Sequence, residues 1–371
     1  MPIEVESPEE LGYDTIANNL AESSFSDLRL ADYGIDGDVS GIVLQYGDHK
    51  GLPELRELIA RDGVGADDVL VVAGAAPALF FVATTLLEPG THAVVCRPNY
   101  ATNVETPRAI GADVEYVDVR FEDAWRLDPE RIAAALRPDT ALVSVCVPHN
   151  PTGRTLDEHE LAALVELVER HPTARLLVDE TYRELAYDAP PLPLAASLSD
   201  RAVGVSSLSK AYGLPGLRIG WLTTRDAAFA ERLLAAKEQV LLAGSLLDET
   251  MAARVLERRE AVLPGMITAV RERRDAVTRW IEGSEHFEWH PPQAGVVCFP
   301  RLKPDRGGDP DVFHAAALRD HGTYVGPGHW FEQDRRFFRL GFGWPGMDEL
   351  VRGLDGLTAA ARAAERAGAA A

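Results

Sequence analysis

The chain has 371 residues, 46% hydrophobic and 26% charged, proportions close to those of globular proteins and unlike those of disordered or fibrous chains. Its 58 acidic side chains outnumber 37 basic ones, for a net charge of −21. A surface of that sign repels phosphate backbones and anionic lipid, which excludes nucleic acid and membrane as partners. The three cysteines, Cys96, Cys146 and Cys298, sit in apolar strand-like runs and read as buried small hydrophobes in a reducing compartment. None has metal-ligand spacing, so no metal is expected. The N-terminus is acidic without an apolar core, and no apolar run approaches the roughly 20 residues of a membrane span, so a cytoplasmic location is expected.

In chain order, the segment before residue 40 has no strong periodicity. LPELRELIARDG reads as a helix, DDVLVVAG as a strand and PALFFVATTLLEPG as a helix stopped by Pro-Gly. THAVVCRP is a strand, DPERIAAALRPD a helix, TALVSVCVP a strand, LDEHELAALVELVERH a helix and ARLLVDE a strand. RAVGVSSLS and LRIGWLTT complete the series as strands. Near-continuous apolar strands alternating with helices imply a mainly parallel sheet covered on both faces, with ligands outside the carboxyl ends of its strands. A charged helix from about Glu257 to Ile281, in which Pro264 is a candidate break, leads into EWHPPQAGVVCFPRLKPD, which reads as a smaller antiparallel α+β unit. The Ala-rich C-terminus is expected as a low-complexity helix or a frayed end.

The chemically suggestive residues fall just after strands. Gly74-Ala75-Ala76 opens a helix, where backbone N–H groups and the helix dipole suit an anion, although close packing alone also accounts for such small residues. Tyr100 follows THAVVC, where its ring can lie on a planar ligand or simply pack. Asn150 begins a turn in HNPTG, and Asp179 ends an apolar strand, where a carboxylate needs a helix cap, an arginine or a cationic ligand nitrogen. Lys210 closes the run S-x-S-K eight residues before Arg218; a partly desolvated amine is what Schiff-base chemistry with a carbonyl requires.

HNPTG, the D-x-x-Y of DETY, and S-x-S-K followed by an arginine together resemble the fold-type I pyridoxal-phosphate enzymes of the class I/II aminotransferase family, over almost the whole chain. The resemblance implies an α/β fold with a mainly parallel seven-stranded-type sheet, helices on both faces, and a smaller α+β domain. It divides the chain into a large cofactor-binding domain at 40–285 and a small domain made of 1–39 and 286–371. It assigns Lys210 to the internal aldimine with pyridoxal 5'-phosphate, and Arg218, Gly74, Ala75, Ala76, Ser207 and Ser209 to the cofactor phosphate. Tyr100 then stacks on the pyridine, Asn150 and Tyr182 bind its phenolic oxygen, and Asp179 faces its ring nitrogen. Arg339, in FFRLGFG, resembles the arginine that grips the substrate α-carboxylate. Tyr46, in LQYGDHKG, resembles the tyrosine that reaches the phosphate of a neighbouring subunit, which implies a homodimer with shared active sites.

The polar loop NNLAESSFSD and the stretch PNYATNVETPR place Glu22 and Glu105 where a cationic substrate side chain would meet them, or where they are solvated loop residues. The resulting expectation is an aminotransferase acting on an α-amino acid with a 2-oxo acid as second substrate. The alternative is a lyase, cyclase or oxidase acting on a polar or arginine-like amino acid by β- or γ-elimination or replacement. A nicotinamide enzyme of the Rossmann type wants G-x-G-x-x-G after its first strand, and this chain has GAAPAL there.

Overall fold

The computed structural model describes residues 6–306 and 308–370, so the expectations for residues 1–5, 307 and 371 lie outside the described residues. Strand β1 (Asn18–Leu20) precedes the main series of β2 (Val69–Val72), β3 (His92–Arg97), β4 (Asp113–Asp118), β5 (Thr140–Cys146), β6 (Arg175–Asp179), β7 (Ala202–Ser207) and β8 (Gly220–Thr223). These last seven form one sheet in the order β2-β8-β7-β6-β5-β3-β4. All neighbours run parallel except β8, which is antiparallel to both β2 and β7.

The period of two explains how the sheet is covered. Val94, Cys96, Val143, Val145, Leu176 and Val178 lie in one apolar cluster with Leu161, Leu164 and Val168 of the helix Glu158–Arg170. The intervening Ala93, Leu142 and Leu177 lie in another, with Phe81 and Val82 of the helix Ala75–Leu86 and Phe229 and Leu233 of the helix Ala227–Glu238. A strand that is apolar at every position is therefore buried on both faces. Strand β4 escaped the sequence reading because it alternates charge with bulk, Asp113-Val-Glu115-Tyr-Val-Asp118. It can do so because it is the edge strand, exposed along one side.

A second sheet runs in the order β1-β12-β13-β10, built from β10 (Val297–Cys298), β12 (Thr323–Pro327) and β13 (Phe338–Gly341). The short strands β9 (Phe287–Glu288) and β11 (Arg301–Leu302) pair beside it. Strand β1 lies parallel to β12, Asn18 opposite Thr323, so the N-terminal segment joins the C-terminal part of the chain. The helix Met347–Ala370 packs on β1 and on the helix Pro310–His321, so the Ala-rich C-terminus is helical up to residue 370.

The candidate break at Pro264 does not occur. A helix Leu246–Glu257 ends at Arg258, where φ is −100° and ψ −1°, and a second helix, Arg259–Glu282, runs straight through Pro264. Proline sits near the start of this helix and removes one internal hydrogen bond. Burial of Leu263, Met266, Val270, Val277 and Ile281 along one face keeps the helix whole.

Candidate active site

The carboxyl ends of β2, β3, β5, β6 and β7 share one edge of the sheet, and β8 begins there. Connections from β3 proceed outward to β4, whereas those from β5 proceed the other way to β6, so the strand order reverses between β3 and β5. Such a reversal opens a crevice beyond the strand ends. Tyr100 follows β3 and Asn150 follows β5, one on each side of it.

Gly74 ends the turn after β2 and caps the helix Ala75–Leu86 with φ at 102°. In β8, Gly220 pairs with Val72 on one side and Ser207 on the other. A Cβ on Gly220 would lie 2.5 Å from the Gly74 carbonyl carbon and 2.8 Å from the Ala75 nitrogen; a Cβ on Gly74 would lie 2.7 Å from Arg218 Nη2. The chain thus leaves a cradle without side chains, walled by the first N–H groups of a helix and by a guanidinium. Arg218 holds φ at 51°, an uncommon conformation for a side-chain-bearing residue, and its guanidinium donates to the Pro215 and Ala73 carbonyls at 2.9 and 3.4 Å. Ser207 is buried at the end of β7, and its Oγ accepts from the Ser209 N–H at 3.3 Å.

Asp179, 5% exposed at the end of β6, accepts from the N–H and hydroxyl of Thr181. Burial raises its carboxyl above the usual range, while Thr181, Asn103 and the charge of Lys210 pull it back. Asn103 also donates to Asn99 Oδ1, which accepts the Tyr100 N–H at 2.8 Å, so the Tyr100 turn and Asp179 belong to one network. Tyr100 itself caps the helix Ala101–Ile110 and keeps its ring 38% exposed. Next to Asn150, His149 is clamped by Thr152 and the Pro98 carbonyl, both at 2.8 Å, and burial depresses its imidazole to about 4.

Lys210 Nζ donates to Ser23 Oγ at 2.9 Å, and Tyr182 donates to the Ser23 carbonyl at 2.8 Å. Arg339, on β13 and 9% exposed, donates to Asn150 Oδ1 at 3.3 Å and to the Ala21 carbonyl at 2.8 Å. Its guanidinium lies 5.2 Å from the Phe331 ring centroid and 5.7 Å from that of Trp330. Glu22 is half-buried and accepts from Tyr13 at 3.1 Å; burial raises its carboxyl, which Lys210 and Arg339 pull down. The Tyr13 ring stacks on Trp344.

Two expected site residues stand apart. Glu105 pairs with Arg108 at 2.7 Å, and Arg108 also holds Glu332 at 2.8 Å. Tyr46 is 83% exposed, so a single chain does not enclose it. Conversely, the sequence reading passed over Ser23, Thr181, Asn99 and Tyr13. Ser23 stands in the polar loop that drew notice for Glu22, yet no local pattern reveals a contact across 187 positions.

A buried carboxylate, a lysine amine and a side-chain-free anion cradle at one sheet edge define an enzyme built to hold a phosphorylated, carbonyl-bearing cofactor. Residues 31–352 match the family described as aminotransferase class I and II, and the chain belongs to that family. It is 32% identical to capreomycidine synthase of Streptomyces vinaceus over 347 residues, 92% of this chain and 87% of that one. It is also 32% identical to the arginine–pyruvate transaminase AruH of Pseudomonas aeruginosa over 295 residues, 77% of this chain and 74% of that one. A solved structure described as the pyridoxal-phosphate-dependent cyclase OrfR superposes with a TM-score of 0.86 at 30% identity, covering 98% of each chain. The protein is a pyridoxal-phosphate-dependent aminotransferase of fold type I. The residues present fit that cofactor: the glycines let the first N–H groups of the helix Ala75–Leu86 come close to the Arg218 guanidinium, a donor set suited to a phosphate, and the raised carboxyl of Asp179 suits a cationic ring nitrogen.

Proposed function

We propose that this aminotransferase acts on an α-amino acid with a cationic side chain, with Lys210 as the cofactor-linked amine, Arg339 as the carboxylate clamp and Glu22 as the counter-charge. One observation carries the reading: the Glu22 carboxyl lies within the fields of both Lys210 and Arg339 and is tied to Tyr13 rather than to an arginine. Glu105, by contrast, already has Arg108 as its cation. The activity named for AruH, on arginine and pyruvate, agrees in substrate charge.

Pyridoxal phosphate supplies a ring that withdraws electrons from the substrate Cα. The chain's residues orient and tune that chemistry. Gly74, Ala75, Ala76, Ser207, Ser209 and Arg218 would hold the phosphate, and Tyr100 would cover the ring. Asn150 would bond the ring oxygen, Tyr182 would join it by turning its hydroxyl from the Ser23 carbonyl, and Asp179 would keep the ring nitrogen protonated. Arg339 presents two N–H groups to the α-carboxylate, a bidentate grip that lysine cannot make. Lys210 carries the proton that leaves Cα.

We also infer a homodimer. Val43, Leu44 and Tyr46 are 69%, 78% and 83% exposed, and Gly47 packs on Leu246, near exposed Val240 and Leu242. Exposed apolar side chains of this kind suit burial against a second copy, to whose phosphate site Tyr46 would belong. The division into 40–285 and 1–39 with 286–371 is proposed as two bodies that meet at the site. The three cysteines are free and buried, and no helix among the described residues is long and apolar enough to cross a membrane; both support placing the protein in the cytoplasm.

A half-reaction screen tests the substrate. Each amino acid is added to the holoenzyme without a 2-oxo acid acceptor. Arginine-like substrates should convert the visible cofactor band to an ultraviolet one with stoichiometric keto acid, and Glu22→Gln should cost roughly ten- to a hundredfold in kcat/KM for them alone, the scale of a lost charge-assisted bond. An unchanged substrate ranking refutes the role of Glu22. The resemblance to a synthase and a cyclase favours a second reading, elimination with ring closure. Ammonia or a cyclised product over many turnovers, with the visible band persisting, would select it.

A further inference from the structure

The segment Ala21–Phe25 touches three site residues, Arg339, Lys210 and Tyr182, within five positions. The Ala21 carbonyl accepts from Arg339, the Glu22 carboxyl lies in the fields of Lys210 and Arg339, the Ser23 carbonyl accepts from Tyr182, and the Phe25 N–H donates to the Lys210 carbonyl at 3.0 Å. The fifth contact is the bond from Lys210 Nζ to Ser23 Oγ at 2.9 Å. The segment has no room to shift. A Cβ on Gly341 would overlap the Glu22 carbonyl, and one on Gly343 would lie 2.8 Å from the Ser24 carbonyl. On the other side, Leu28 N–H donates to the Gly213 carbonyl at 2.8 Å, tying the chain after Ser23 to the turn that follows Lys210. Ser23 is 6% exposed, so its hydroxyl cannot turn to bulk water and leave the amine.

We propose that Ser23 is the positioning residue for the Lys210 amine, holding it through one N–H during the interval in which it is not bonded to the cofactor. The proposal rests on Lys210 being the cofactor-linked lysine. As a neutral amine, Lys210 donates one N–H to Ser23 Oγ, which fixes the direction of its lone pair. The Cα–H bond then breaks, its proton forms a new N–H bond at Nζ, and its electron pair stays with the substrate. Nζ becomes an ammonium that still donates to Ser23. A hydrogen bond to a charged donor is worth more than one to a neutral donor, so Ser23 strengthens its hold as the proton arrives. Glu22 and Asp179, carboxyls of the N-terminal segment and of β6 that feel the charge of Lys210, attract the same ammonium. Their charges favour the protonated amine; the Ser23 contact directs it.

The test uses the full-length holoenzyme in single turnovers with Cα-protio and Cα-deuterio substrate. Ser23→Ala should slow loss of the Cα hydrogen about tenfold, the scale of one charge-assisted hydrogen bond, and raise the primary isotope effect while substrate dissociation changes less than about twofold. Ser23→Thr, which keeps the hydroxyl, should restore most of the rate. A readout independent of turnover is the labelling of Lys210 by acetic anhydride in the full chain freed of cofactor, followed against pH by peptide mass spectrometry. Its protonation midpoint should fall by about half a unit to one unit in Ser23→Ala and stay in Ser23→Thr. Unchanged isotope effect and labelling profile in Ser23→Ala overturn the proposal. If Ser23→Ala does not fold, Ser23→Cys, with a weak sulfur acceptor, makes the same comparison: a wild-type profile refutes and a lowered midpoint supports. Borohydride fixation of the cofactor on a lysine other than Lys210 would refute the underlying assignment, and the labelling profile would still report whether Ser23 holds this amine.

Discussion

His149 and Asp179 are both buried beside the crevice, and burial disfavours the charge of each, but their partners differ. The Asp179 carboxyl is raised but has Thr181, Asn103 and Lys210 to hold its charge, whereas His149 has only neutral partners. Its imidazole is depressed to about 4, well below the roughly 6.5 of a solvated histidine. Between those values the unfolded chain binds a proton that the native chain does not, so stability falls as pH falls through this window and is fully present above it. His149→Asn should therefore flatten the acid limb of the stability curve. The difference in unfolding free energy between wild type and variant should shrink by up to about 3 kcal/mol from pH 7 to pH 4, measured by urea titration. A constant difference across that range would show that His149 titrates normally in the native state.

Elements matter here through how closely their backbones approach. Strand β8 reverses direction beside β7 so that Gly220 lies against Gly74, and the cradle exists because neither has a side chain. Gly220→Ala should push the turn after β2 away from Arg218. We expect the equilibrium dissociation constant for pyridoxal phosphate, measured by fluorescence titration, to rise at least about tenfold, with the variant losing roughly 1–3 kcal/mol of stability as overpacked sites do. Cofactor affinity equal to wild type would mean that the cradle lies elsewhere. The same scale explains two departures from the sequence reading. Pro264 does not end its helix, because five buried side chains outweigh one lost hydrogen bond, and β4 goes unrecognised because an edge strand tolerates charge.

At the scale of the whole molecule, Leu44 and Tyr46 stay 78% and 83% exposed on their own chain. Mixing Lys210→Ala chains with Tyr46→Phe chains should regenerate up to about a quarter of wild-type activity if Tyr46 serves a partner's site, since hybrid dimers then contain one intact site. Sedimentation should show a dimer in both parents. A fully active monomer, or mixtures no better than the sum of their parents, would contradict the shared site.

The sequence by itself determined the strand series apart from the edge strand β4, the doubly covered sheet and the short motifs at strand ends, because hydrophobic period and turn chemistry are local properties. Gly74, Asp179, Lys210 and Arg218 were legible for the same reason: each sits at a junction whose residue types already carry the chemistry. Only the tertiary structure decided that Ser23 holds Lys210, that Arg339 bonds Asn150 across 189 positions, and that Glu22 rather than Glu105 faces the amine. Those pairings depend on where β1 docks beside β12 and on how the glycines of β13 and the turn after it let the Ala21–Phe25 backbone approach. Such contacts are set by packing between distant segments, and no local sequence pattern encodes them.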